Sequence, residues 1–158
     1  MKRVVVDASV IVKWLLPDRE EEEDVGEALQ VLQLIKASRL EVYQPPHWLA
    51  EAAAVVTRLS SDTAMEDIED LCEMDFEILD TLEVYLKACE LSSKLNHHLF
   101  DTLYHAVALN LPDAVLITAD ERYYRKAESV GQIMLLENIS RTVNPLSKAF
   151  AEKGGGIV

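Results

Sequence analysis

Short β-branched runs alternate with longer segments of helical period along most of this chain, and that alternation constrains the fold more than any other feature. Arg3–Val6 reads as a buried strand that ends at Asp7. Val10–Leu16 reads as a short helix closed by Pro17. Val25–Ala37 places Val25, Leu29, Leu32 and Ile35 on one face, which predicts an amphipathic helix. A second strand is expected over Leu40–Tyr43. Pro45-Pro46 stops it, and Pro46 suits the first turn of a helix over His47–Leu59. After a turn at Ser60–Thr63 come a helix over Ala64–Cys72, a short strand at Phe76–Leu79 and a helix over Thr81–Leu95. A helix over Thr102–Leu109 is terminated by Pro112. The strand Val115–Thr118, a helix over Glu121–Ser129 and a last strand at Ile133–Leu136 follow. Several strands are apolar throughout instead of alternating, as in a parallel sheet covered on both faces. The expected fold class is therefore α/β.

At 158 residues the chain is long enough for one domain that buries roughly 70% of its unfolded surface. Cys72 and Cys89 are the only cysteines, and neither has a metal-ligand spacing. A disulfide scaffold and a zinc–thiolate site are excluded, and a reducing compartment fits. No apolar run approaches the ~18–20 residues that span a bilayer. Asp7 interrupts the N-terminal apolar run too early for a signal peptide. The reading is a soluble, cytoplasmic protein without membrane contact. The 15 basic and 28 acidic residues give a formal charge of −13, which argues against bulk electrostatic binding of nucleic acid. It is compatible with carboxylates gathered around a cation, because the bound ion reverses the local charge.

Open parallel sheets carry their sites at the carboxyl ends of the strands, and acids stand there. Asp7 follows the first strand, and Asp120 follows Leu116-Ile117-Thr118 by one residue. Asp101 precedes Thr102-Leu103-Tyr104-His105. Each of these three can be no more than a helix cap, since Asp is a favoured N-cap residue. Glu51 is different. Pro45 through Val56 contains no other Asp, Glu, Lys or Arg, so Glu51 sits among apolar neighbours on its helix. A carboxylate there needs a partner, because burying it unpaired costs several kcal/mol, an order-of-magnitude figure. The partner is either a base, with Arg58 two turns away, or a metal ion. Four converging acids would repel one another unless some are protonated or a cation binds. Oxygen-only ligation favours Mg²⁺ or Mn²⁺ over Zn²⁺.

Val5-Val6-Asp7-Ala8-Ser9-Val10-Ile11-Val12-Lys13-Trp14 resembles the opening of PIN domains, the nuclease family that includes VapC toxins. Glu51, the block Asp101-Thr102-Leu103-Tyr104-His105-Ala106-Val107-Ala108-Leu109, and Thr118-Ala119-Asp120-Glu121-Arg122-Tyr123-Tyr124 follow in the family's order. The resemblance covers residues 1–137, leaving 138–158 as a C-terminal extension that ends in the loose stretch Gly154-Gly155-Gly156. It implies a three-layer α/β/α sandwich with a central, mostly parallel sheet. It also implies endoribonuclease activity dependent on Mg²⁺ or Mn²⁺. By position, Asp7, Glu51, Asp101 and Asp120 match the family's acidic quartet, which would bind the metal and carry catalysis. Ser9 and Thr118 match hydroxyl positions that support those acids. The resemblance further implies RNA as substrate, a homodimer, and a cognate antitoxin, so that the chain would be the toxin of a type II toxin–antitoxin system.

Two departures stand out. Leu111-Pro112-Asp113 replaces a glycine-containing turn, and the six acids of Asp18–Asp24 make the surface near the first helix hostile to RNA. Lys13 and Arg122 are candidate phosphate contacts. Arg125 and Lys126 read as solvated helix faces. His105 reads as a packing or hydrogen-bonding residue, and the neighbours His97 and His98 point apart and make a poor metal pair. Trp48 reads as core, while Tyr104, Tyr123 and Tyr124 are candidates for base stacking. One alternative is a nucleic-acid or protein binding module on the same fold with weak or lost nuclease activity. Another is an aspartyl-phosphate enzyme, but Asp7-Ala8-Ser9 lacks the second acid that such a phosphatase shows after its first strand.

Overall fold

In the computed structural model, which describes residues 2–18 and 23–142, the alternation builds one five-stranded sheet. The strands are β1 (Lys2–Val6), β2 (Leu40–Gln44), β3 (Glu77–Ile78), β4 (Val115–Thr118) and β5 (Ile133–Leu135). Their spatial order is β3-β2-β1-β4-β5, and every neighbouring pair is parallel. The first strand is thus the central one. Val4 pairs with Val42 on one side and Val115 on the other, and Val6 pairs with Ile117. Val4, Val5 and Val6 are buried, as an all-apolar central strand requires.

Seven α-helices cover the sheet among the described residues: α1 (Ala8–Leu15), α2 (Val25–Lys36), α3 (Trp48–Leu59), α4 (Ala64–Glu73), α5 (Leu82–Leu95), α6 (Leu99–Leu109) and α7 (Glu121–Ala127). The architecture is the expected three-layer sandwich. Among the described residues α6 carries the longest unbroken buried run, Thr102 to Ala108, and it packs on β1, β2 and β4 with α5 outside it. On the other side α1 packs against α2 and β4. The indole Nε1 of Trp14 donates to the carbonyl of Ala28 at 2.8 Å and so ties the two helices together.

Element ends differ from the sequence expectation by a few residues, and two helix starts and one turn bear on the acids. The first helix begins at Ala8, so Ser9 lies inside its first turn and Asp7 holds the N-cap position. α6 begins at Leu99, one turn before Thr102. Asp101 therefore lies within the first helical turn and is not its cap, a place where an acid meets the positive end of the helix dipole. The turn before β4 needs no glycine, because Asp113 itself takes the left-handed conformation (φ 59°), which Asp tolerates better than most residues. Of the acidic stretch only Asp18, Glu23 and Asp24 are described. Residues 19–22, and with them 143–158 and the triple glycine, lie outside the described residues. No helix among the described residues is long and apolar enough to cross a membrane.

Candidate active site

The parallel strands all end on one side of the sheet, and the four sequence-selected acids come from elements that begin or end there. Asp7 leaves β1 with its backbone still in the ladder, its N–H donating to the carbonyl of Ile117 at 3.0 Å. Its extended backbone places it as N-cap of α1, but its carboxylate makes no capping bond. Two hydroxyls hold it instead. Ser9 Oγ donates to Asp7 Oδ2 at 2.6 Å, and Thr118 Oγ1, from the end of β4, donates to the same oxygen at 2.7 Å. Those hydroxyls are themselves fixed. The N–H of Ala119 donates to Ser9 Oγ and the N–H of Asp120 donates to Thr118 Oγ1, both at 3.0 Å. Neighbouring β2 adds Gln44, fully buried, whose Nε2 donates to the carbonyl of Val6 at 2.9 Å just before Asp7.

Asp120 does act as a cap. Its Oδ1 accepts from the N–H of Tyr123 at 3.0 Å, in the first turn of α7. Glu51 lies in the first turn of α3, its side chain 31% exposed. The partner found for it is neither Arg58 nor another strong base. Tyr104 Oη donates to Glu51 Oε2 at 2.8 Å, and His47 Nε2 stands 3.5 Å from the same oxygen. The His47 contact is loose. Both its ring nitrogens are buried without a well-aimed partner, and the ring lies against Phe100 and Tyr104 at centroid distances of 5.3 and 5.0 Å. His97 Nε2 stands 2.9 Å from Asp101 Oδ2. Among the described residues, none of the four acids is paired with Lys or Arg.

The charges register one another. Burial pushes the Asp7 carboxyl up to about 6, the two hydroxyl bonds pull against that, and the charges of Glu51 and Asp101 add to the rise. The Asp101 carboxyl is also raised, first by burial and then by Glu51 and Asp120, against the pull of His97. Burial works to raise Glu51 too, but the nearby His47 ring and the Tyr104 hydroxyl outweigh it and hold Glu51 below the usual carboxylate range. The Tyr104 hydroxyl is held protonated by burial and by Glu51, Asp7 and Asp101. Asp7 thus lies within charge reach of Glu51 and Asp101, and Asp101 within reach of Glu51 and Asp120. No three His, Cys, Asp or Glu side chains among the described residues stand close enough to enclose an ion as arranged.

The donor set suits a hard divalent ion. It is all oxygen, and both hydrogen bonds to Asp7 land on Oδ2, so Oδ1 accepts none from the described residues.

The remaining candidates divide. Tyr104 and Tyr123 are buried and so cannot stack on bases; burial of Tyr123 also raises its hydroxyl above the ordinary tyrosine range. Lys13 is 7% exposed and walls a cavity of about 190 Å³ together with Glu23, Asp24, Glu121 and Glu137, which is an acidic neighbourhood for a phosphate contact. Arg122 is exposed. Arg125 pairs with Glu121 along α7 at 2.6 Å. Trp48 is core, 5.1 Å from the ring of Phe76. His105 is fully buried, hydrogen-bonded at Nε2 to the carbonyl of Gly131 and at Nδ1 to Tyr123 Oη, and burial lowers its pKa. Sequence reasoning missed His97, Gln44 and the hydroxyl role of Tyr104. For His97 the i,i+4 spacing to Asp101 was the available signal.

A comparison with curated proteins finds no match. The fold matches the crystal structure of VapBC2 from Rickettsia felis bound to a DNA fragment from their promoter, with a TM-score of 0.59 and 17% identity. That match covers 84% of this chain and 96% of the other. It also matches VapBC-1 from nontypeable Haemophilus influenzae, with a TM-score of 0.58, 19% identity and coverage of 85% and 98%. The family model described as PIN domain matches residues 4–129. That span runs from β1 past the last of the four acids, and the chain belongs to the PIN domain family.

Proposed function

We propose that this protein is a metal-dependent endoribonuclease that hydrolyses RNA phosphodiester bonds, and that it is a VapC-like toxin held in check by a cognate antitoxin. The observation that carries the reading is the state of Asp7. Its partly buried carboxylate stands at the end of the central strand with Oδ2 fixed by the Ser9 and Thr118 hydroxyls, and burial first, then the charges of Glu51 and Asp101, raise it to about 6. A fold tolerates such a cluster for a purpose, and shifted carboxylates in a crevice mark functional sites.

Asp7, Glu51, Asp101 and Asp120 would hold Mg²⁺ or Mn²⁺. The ion would supply an activated water and neutralise charge growing on the phosphoryl oxygens. The four carboxylates sum to −4, so one divalent ion leaves −2 and two leave zero, which gives room for a second ion arriving with the phosphate. The chain's own part is orientation. Ser9 and Thr118 fix Oδ2 of Asp7, Tyr104 fixes Oε2 of Glu51, and the N–H of Tyr123 fixes Oδ1 of Asp120. Ser9, the hydroxyl beside Asp7, is not placed as a covalent nucleophile: its Oγ is spent between Asp7 and Ala119. The likeness to VapBC structures supports a protein partner. The charge of −13 favours a basic antitoxin segment over an acidic one. Pairing of two copies into a homodimer belongs to the same reading.

The test is cleavage of a single-stranded RNA panel with Mg²⁺ or Mn²⁺, against EDTA and Asp7→Asn controls. Metal-dependent cutting abolished in the variant is expected. A protein that binds Mn²⁺ and RNA without cutting any member of the panel would be the binding module instead.

A further inference from the structure

We propose that His97 is the positioning residue for Asp101, and that Lys126 sets the tautomer in which it acts. The proposal deepens the reading above, since it takes Asp101 as a ligand.

His97 follows the left-handed residue Asn96 (φ 47°), which ends α5 and turns the chain toward α6. Its side chain is 8% exposed, and its ring lies 4.8 Å from that of Tyr123. One ring nitrogen, Nε2, is 2.9 Å from Asp101 Oδ2. The other, Nδ1, is 3.5 Å from Lys126 Nζ, and that ammonium donates to the carbonyl of Asn96 at 2.8 Å. A lysine ammonium carries three donors and no acceptor. The ring atom that faces it is therefore the bare acceptor, and the ring proton sits on Nε2, aimed at the carboxylate. Lys126 is thus more than a solvated helix residue.

The chain Lys126–His97–Asp101 joins α7, the α5–α6 turn and α6. The same histidine ring packs on Tyr123, whose N–H holds Asp120. His105 offers the internal contrast. It is fully buried, but its nitrogens go to Gly131 and Tyr123 and reach no acid. Partners that orient a ligating carboxylate in this way typically change metal affinity by about 10–100-fold when removed.

Two measurements on the full chain decide the matter. In ¹⁵N spectra of the metal-free protein, at a pH where the ring is neutral, His97 should be protonated at Nε2, and Lys126→Met should erode that preference. A ring protonated at Nδ1 overturns the proposal. In Mn²⁺ titrations followed by electron paramagnetic resonance, His97→Ala should weaken binding about tenfold or more. His97→Gln, which keeps a donor, should recover part of the loss. Lys126→Met should weaken binding without lowering the melting temperature. Unchanged Mn²⁺ affinity in all three variants overturns the proposal, as does a loss that merely tracks unfolding. Should the wild type take up no Mn²⁺, the metal reading of the site fails, and the tautomer measurement still judges His97.

Discussion

Among the carboxylates of the described residues, Asp7 is the one whose ionisation the fold displaces furthest. Its carboxyl is raised to about 6 in the fold from an ordinary 3.8. The folded state therefore favours the protonated form, and metal-free stability falls as pH rises through the interval between those values. Asp7→Asn removes the penalty. The variant should be more stable than the metal-free wild type at neutral pH, by on the order of 2–3 kcal/mol. The gain should vanish below about pH 4, where both states of the wild type hold the proton. Melting curves of both proteins in EDTA across that range check it, and equal melting temperatures at pH 7 would contradict it. The opposite sign belongs to Glu51. Its carboxyl is held low, so its contribution is present at neutral pH and lost as acid protonates it. Tyr104→Phe deletes its 2.8 Å donor and should lower metal-free stability by about 1–2 kcal/mol at neutral pH. The difference should narrow in acid, as urea titrations at two pH values would reveal.

At the scale of elements, most of the fold was legible because one physical signal repeats: apolar runs too short for a helix alternate with stretches of helical period. β1, β2, β4 and β5 fall where such runs stand, and the parallel pairing follows from their lack of alternation. The start of α6 was read late because Leu99-Phe100 lacks a strong cap residue before it; His98 stands at the N-cap without a side-chain bond. The candidate acids were legible as types at strand ends. What the sequence could not state was who touches them, since Tyr104 reaches Glu51 across 53 positions and Thr118 reaches Asp7 across 111. Gln132 is a similar long-range tie. Its Nε2 donates to the carbonyls of Ala108, Leu111 and Ala114 and so stitches the end of α6 to the entry of β4. Gln132→Ala should cost about 1–3 kcal/mol in urea unfolding, because buried carbonyls lose their donor. It should leave Mn²⁺ affinity unchanged, since these carbonyls lie at the end of α6 opposite Asp101.

For the molecule as a whole the charge of −13 sets how it meets its surroundings. Self-repulsion should make metal-free stability rise with added NaCl. Millimolar Mg²⁺ should raise the melting temperature further than NaCl of matched ionic strength, because a bound ion stabilises by mass action and screening alone does not. Equal shifts from the two salts would show that no divalent site is filled. The strand order carries a last consequence, for synthesis on the ribosome. The first strand made is the middle one, and one of its two flanking partners, β4, begins at Val115. Until that stretch emerges, Asp7 has no Thr118 hydroxyl to orient it and no Asp120 across from it. A nascent chain interrupted before that point carries Asp7 without the β4 hydroxyl that orients it, so this arrangement of acids is completed only late in synthesis.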